Sequence, residues 1–224
     1  MTGPADEGFE MTTRSSIDLR ATVWQLENMT GVSTRLELLR LQLAYSFAVV
    51  RERIEGISDD EFFWEPVADC WSVRPVGDAT SAQTAEAKAS RCGWFAEHGF
   101  DGATFNVPEP PPFTTIAWKL QHMASCNVMY HEHAFGDRRD LWGDLVPHTA
   151  RGAIELWQEG HQLLVDELDR MTEDTLDSTV LTEWGAEWPA WRIFWVNTHH
   201  DLQHGSEIAC IRDLYAHRHT LSHS

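Results

Sequence analysis

No stretch of eighteen consecutive apolar residues occurs in the 224-residue chain, which argues against a membrane-spanning helix. Cysteine is sparse. Cys70, Cys92, Cys126 and Cys210 form no CxxC pair and follow no regular spacing, so a disulfide framework is not expected and the thiols read as reduced. Basic residues are few, 17 Lys and Arg against 35 Asp and Glu, and the net charge of -18 repels phosphate backbones and anionic lipid surfaces. Neither nucleic acid nor a membrane is therefore an expected partner. The N-terminus, Met1 to Glu10, is acidic and polar and lacks the basic and apolar regions of a signal peptide, which points to the cytoplasm. There is no GxGxxG, P-loop or GxSxG, so nucleotide binding and serine-hydrolase chemistry have no support.

Against these absences stand a 42% hydrophobic content and eleven tryptophans, enough to bury one sizeable core in one domain. Residues 1–32 read as an N-terminal extension with one helix-like segment at Ile17 to Leu26. From Thr34 a wide apolar stripe (Leu36, Leu39, Leu43, Phe47, Val50, Ile54) predicts a first long helix ending at Gly56. Ser58-Asp59-Asp60-Glu61 reads as a capping box. The proline-rich link that follows looks loosely structured from Asp78 to Ser90. Its 76–112 portion, with the aromatic stretch Gly93 to Phe100, is a candidate lid.

A second long helix opens at Thr114 or Thr115 and stops at Gly136, a third runs from Thr149 to Met171, and a fourth runs from Pro189 to Tyr215. No strand pair is expected. Four amphipathic helices of this length predict a four-helix bundle over 33–216, with 217–224 as a flexible tail.

The last helix carries His200 and His204, four residues apart and thus stacked on one face, where two imidazoles can close on one divalent ion. An HxxxH alone equally fits a half-exposed helix face. His122, on or beside the apolar side of the second helix, supplies a possible third nitrogen, although a lone histidine there also fits a hydrogen-bonded core residue. Three protein nitrogens plus an open position is the pattern of a catalytic zinc site, and nickel, iron or manganese could use the same donors. Such an ion lowers the pKa of a bound water or thiol, which permits hydrolysis or thiol addition.

Around these three, Asn197 and Asp201 flank the pair and Glu207 falls three past His204, where it could orient a ligand. His199 projects about 100° away from His200, beside the site or on the surface. Trp118 and Cys126 bracket His122 at four-residue spacing, with a buried thiol the plainer reading of Cys126. His131 and His133 lie too far along the helix to reach the ion.

Three segments, DCWSVRP (Asp69 to Pro75), TTIAWKLQH (Thr114 to His122) and HDLQHGSEIACIRDLY (His200 to Tyr215), resemble the DinB/YfiT-like superfamily, in particular its actinobacterial-type members. The likeness spans Arg35 to Tyr215. It implies an all-α four-helix bundle with a long crossover connection, often a homodimer, and a divalent metal held by His122, His200 and His204. Relatives often carry glutamate where His200 stands, so the all-histidine set could shift metal preference. Similar proteins include transferases and isomerases that use mycothiol, bacillithiol or glutathione. The resemblance thus implies a metal-dependent thiol S-transferase acting on a small electrophilic molecule, with Zn2+ as cofactor and the thiol as co-substrate. The alternatives are a hydrolase using metal-activated water and a non-catalytic metal-binding stress-response bundle.

Overall fold

Three of the four long helices begin on a threonine hydroxyl that accepts a backbone N–H, satisfying a donor the first turn would otherwise orphan. Thr34 does so for α1 (Arg35–Ile54), Thr115 for α4 (Ile116–Phe135) and Thr149 for α5 (Ala150–Arg170). The fourth, α6 (Ala190–Ala216), starts after Pro189, whose missing N–H suits a helix entrance. The computed structural model describes residues 31–80, 83–97 and 108–221. The segment Ile17 to Leu26 and the end of the aromatic stretch, His98 to Phe100, lie outside the described residues.

These four helices form a bundle in which α1 packs on α5 and α6, and α4 packs on the same two from the opposite corner. The first two long helices, α1 and α4, therefore stand diagonally, and the long link between them crosses one end of the bundle. Contacts set the directions. Arg212 near the end of α6 bonds the carbonyls of Arg53 and Glu55 at 2.8 and 2.9 Å, so α1 and α6 run parallel. Arg40 near the start of α1 pairs with Asp169 near the end of α5 at 2.9 Å, so those two run antiparallel.

The lengthwise return falls to 136–149, joining the parallel pair α4 and α5. Buried Glu132 anchors its start by accepting from the backbone N–H groups of Asp137 and Arg139, and the Arg139 guanidinium holds that carboxyl down to about 2. By Leu145 the chain is back beside Gln121, whose side chain donates to its carbonyl at 3.2 Å.

Two short antiparallel pairs correct the expectation that no strands form: β1 (Val73–Pro75) with β2 (Trp94–Ala96), and β3 (Thr179–Leu181) with β4 (Glu187–Pro189). Three residues per strand give too little alternation to register in the sequence. The stretch read as loosely structured contains α3 (Thr84–Ala89). The candidate lid is tied down where it is described, since Phe95 is buried in β2 and Glu97 takes a 2.7 Å ion pair from Arg74. The Ser58 cap of α2 (Asp59–Phe62) forms, but the Glu61 carboxylate bonds Arg212 at 2.8 Å instead of closing the box. After α6, Arg218–Leu221 makes a last turn, α7, with Arg218 over the Tyr215 ring at 3.9 Å.

Two apolar clusters fill the interior, one around Ile54, Phe62, Ile116, Leu120 and Ile208, the other around Leu39, Leu43, Leu168, Ile193 and Phe194. Among the described residues no helix is long and apolar enough to cross a membrane. The α1–α6 seam is tight at Gly205, where an added Cβ would stand 2.8 Å from Val50 Cγ2. Val50 is fully buried and stiff at χ1. Gly205→Ala is thus expected to cost up to about 2 kcal/mol, overpacking of about 1–3 set against a helix-propensity gain of about 1; chemical denaturation at constant m-value reads it.

Candidate metal centre

Midway along the α4–α6 seam, His122 from the second turn of α4 meets His200 and His204 from successive turns of α6. The helical spacing brings the two α6 rings to a centroid separation of 4.5 Å, and His122 stands 4.9 Å from one and 5.2 Å from the other. One ring nitrogen from each lies within 4.8 Å of the others. Two imidazole nitrogens held at about 2.0–2.1 Å by one tetrahedral zinc stand about 3.3 Å apart, close to the 3.1 Å between His122 Nε2 and His200 Nε2. The donor set therefore fits a divalent ion. Among the described residues no cysteine or carboxylate joins the cluster as a fourth candidate.

Burial sets the protonation. Desolvation pushes the His200 pKa down to about 3 and lowers that of His204 despite the carboxylate beside it, so both rings are neutral and carry a lone pair at neutral pH. His204 Nδ1 donates to Glu207 Oε2 at 2.7 Å, which leaves Nε2 as its lone-pair nitrogen. Lys119 Nζ reaches the same oxygen at 2.7 Å. Burial works to raise the Glu207 pKa, but the bonds from Lys119 and His204 outweigh it and hold the carboxyl below its ordinary range. A carboxylate fixing the far nitrogen of a ligating histidine is a recurrent support of metal sites. Glu207→Gln is accordingly expected to weaken metal affinity by about 10- to 100-fold, measured by competition with a chelator.

The other sequence-selected residues divide. Trp118 stacks on His122 at 4.8 Å, and Cys126 Sγ sits 3.7 Å from its Nδ1, with burial pushing that thiol's pKa up so that it stays protonated. Asp201 turns away from the three rings into the bundle centre, where Trp157 Nε1 donates to it at 2.9 Å and Asn127 at 3.3 Å. Asn197 donates back to the Ile193 carbonyl at 2.8 Å, and exposed His199 stacks on Trp195 at 6.1 Å. His131 and His133 begin about 13 Å farther along α4.

Two contributors had not been singled out. Lys119 reaches Glu207 across 88 positions of sequence, and the buried Glu97 presents its carbonyl to Trp118 Nε1 at 2.5 Å, steadying the ring that backs His122. Lys119 lies one turn before His122, a spacing that could have flagged it; the Glu97 contact has no signal in sequence.

Buried titratable groups pull stability in opposite directions with pH. His161 and His200 have folded pKa values pushed down by burial to about 4 and about 3, so between those values and 6.5 the unfolded chain binds the extra protons and stability is lost as pH falls. Burial pushes Asp201 up to about 7, so from 3.8 to about 7 the folded chain binds the extra proton and stability is lost as pH rises. Two protons against one leave the metal-free protein gaining about 1 kcal/mol per pH unit from these groups between pH 4.5 and 6. Asp201→Asn removes the opposing contribution and should steepen that slope in urea titrations.

The sequence model of the DinB superfamily matches residues 42–208, about three quarters of the chain, and the chain belongs to that superfamily. No curated protein and no solved structure matches it.

Proposed function

We propose that this DinB-superfamily member is a metal-dependent S-transferase, in which His122, His200 and His204 hold a divalent ion, zinc by preference, and a low-molecular-weight thiol of the mycothiol type attacks a small electrophilic molecule. The observation that carries the reading is the donor set: three imidazoles, each with a ring nitrogen within 4.8 Å of the others, and no fourth protein ligand among the described residues. An open position of that kind distinguishes catalytic from closed structural sites. When bound, such an ion is a Lewis acid that lowers the pKa of a thiol or water brought to it.

The chain's own residues do the rest. Glu207 fixes the orientation and proton of His204, while Lys119, 12% exposed, keeps that carboxylate ionised and adds positive charge beside the site, favouring an anionic sulfur. Trp118 and Trp71, with ring centroids 6.4 Å apart, give an apolar wall next to His122 on which an organic electrophile can pack. In the reaction the thiol proton passes to solvent, a sulfur–carbon bond forms, and any leaving group departs with its electron pair. The proposal includes a homodimer in the cytoplasm as the working form.

Metal-loaded protein incubated with mycothiol and a panel of electrophiles tests the reading, with product followed by mass spectrometry. Thiol adducts should form with wild type and not with His204→Ala. Equal turnover by the two would contradict the proposal, and product formed without any thiol would favour activated water as nucleophile.

A further inference from the structure

Away from the histidine centre, α1 and α5 leave a groove of about 420 Å³ between them, within the range of small-ligand sites. Its polarity is graded along the helices. One end closes on the Arg40–Asp169 ion pair at 2.9 Å. Leu43, Ala44, Val165 and Leu168 then make apolar walls, and at the other end His161 and Arg51 bring nitrogen donors to the same space.

His161 is the telling residue. Only 6% exposed, it is held by stacking on Phe47 at a centroid distance of 4.4 Å, yet among the described residues its ring has no hydrogen-bond partner and it lines the groove. Its ring nitrogens are not fully enclosed, so they open toward the groove, where a ligand can take up their hydrogen bonds. Burial also pushes its pKa down to about 4, so at neutral pH one ring nitrogen donates and the other accepts. Arg51 has no acidic partner among the described residues, in a chain that carries 35 acidic side chains. An anion held beside it would meet no competing carboxylate from α5, since Asp169 is engaged with Arg40 at the far end.

We propose that this groove is a second small-molecule site that takes an apolar chain ending in a carboxylate, the head lying between Arg51 and His161 and the chain running over Ala44 toward Leu43 and Leu168. From residue 43 to residue 51 the helix rises about 12 Å, room for a medium-length acyl chain or an aryl alkanoate. The site is independent of the metal reading and needs no residue of it.

Calorimetric titration of the full chain with octanoate, alongside octanol and acetate, tests the assignment. Octanoate should bind saturably at one site per chain, with octanol (no charge) and acetate (no chain) at least about tenfold weaker, the worth of a charged hydrogen bond. Arg51→Met, a surface change, and His161→Phe, which keeps the stack on Phe47, should each lose about tenfold. Ala44→Trp should fill the groove and abolish binding with the oligomeric state unchanged. His204→Ala should bind octanoate like wild type, so failure here and failure of the transferase reading are separable. The inference is overturned if octanoate does not saturate, if octanol binds as well, if Ala44→Trp binds normally, or if sedimentation shows Ala44→Trp splitting a dimer, which would make a second copy of the chain the occupant.

Discussion

His122→Ala is expected to release the bound ion and to lower thiol-transfer turnover by about 100-fold or more, with the helical content unchanged. The magnitude follows from what is removed: loss of a residue that merely supports a ligand costs about 10- to 100-fold in affinity or activity, and loss of one of only three donors costs more. The fold should tolerate the change because His122 is only half-buried, Trp118 is held independently by the Glu97 carbonyl, and His204 is held by Glu207. Metal content per chain by elemental analysis and turnover at saturating thiol give the two numbers. Intact far-ultraviolet circular dichroism separates loss of the site from loss of the protein.

The largest effect on stability is expected at Trp157. Its side chain is fully buried, stacks face to face on Phe47 at 4.9 Å, and donates its indole N–H to Asp201 at 2.9 Å. Trp157→Ala should cost about 3–5 kcal/mol from lost burial and the cavity it opens. It also strips the Asp201 carboxyl of one of two donors inside the bundle, leaving Asn127 at 3.3 Å. A chain of this size shifts its midpoint by about 2–4 °C per kcal/mol, so Tm should fall by about 10 °C. Trp157→Phe, which keeps most of the stack and loses the donor, should cost about 1–3 kcal/mol. Equal losses for the two variants would mean that the hydrogen bond, not the packing, dominates.

The histidine constellation was legible in the sequence because its information is local. Two of its members sit one helical turn apart, and the third rides a helix whose start is announced by prolines and a threonine cap. Helix existence was legible for the same reason, since caps and apolar spacing are short-range signals. What supports the site was not. Lys119 meets Glu207, Trp157 meets Asp201 and Arg74 meets Glu97 only after the helices and the cross-end link have been assembled. Asp201 illustrates the difficulty: adjacent to His200, it reads as a polar neighbour of the metal, yet the 100° turn between successive residues aims it at the core instead. His161 reads as one polar residue on an amphipathic helix and proves to be buried against Phe47. The strands escaped notice because three-residue ladders are set by pairing, not by alternation.

The proposed function requires one ion shared by the imidazoles of α4 and α6. Elemental analysis of the protein as purified, joined to X-ray absorption at the edge of the metal found, addresses that claim most directly. One divalent ion per chain, with three imidazole nitrogens at about 2.0–2.1 Å if it is zinc and a light-atom or thiol ligand completing the shell, is the predicted result. Absence of stoichiometric metal, or a shell that keeps its imidazole scattering after His200→Ala and His204→Ala are combined, would contradict it.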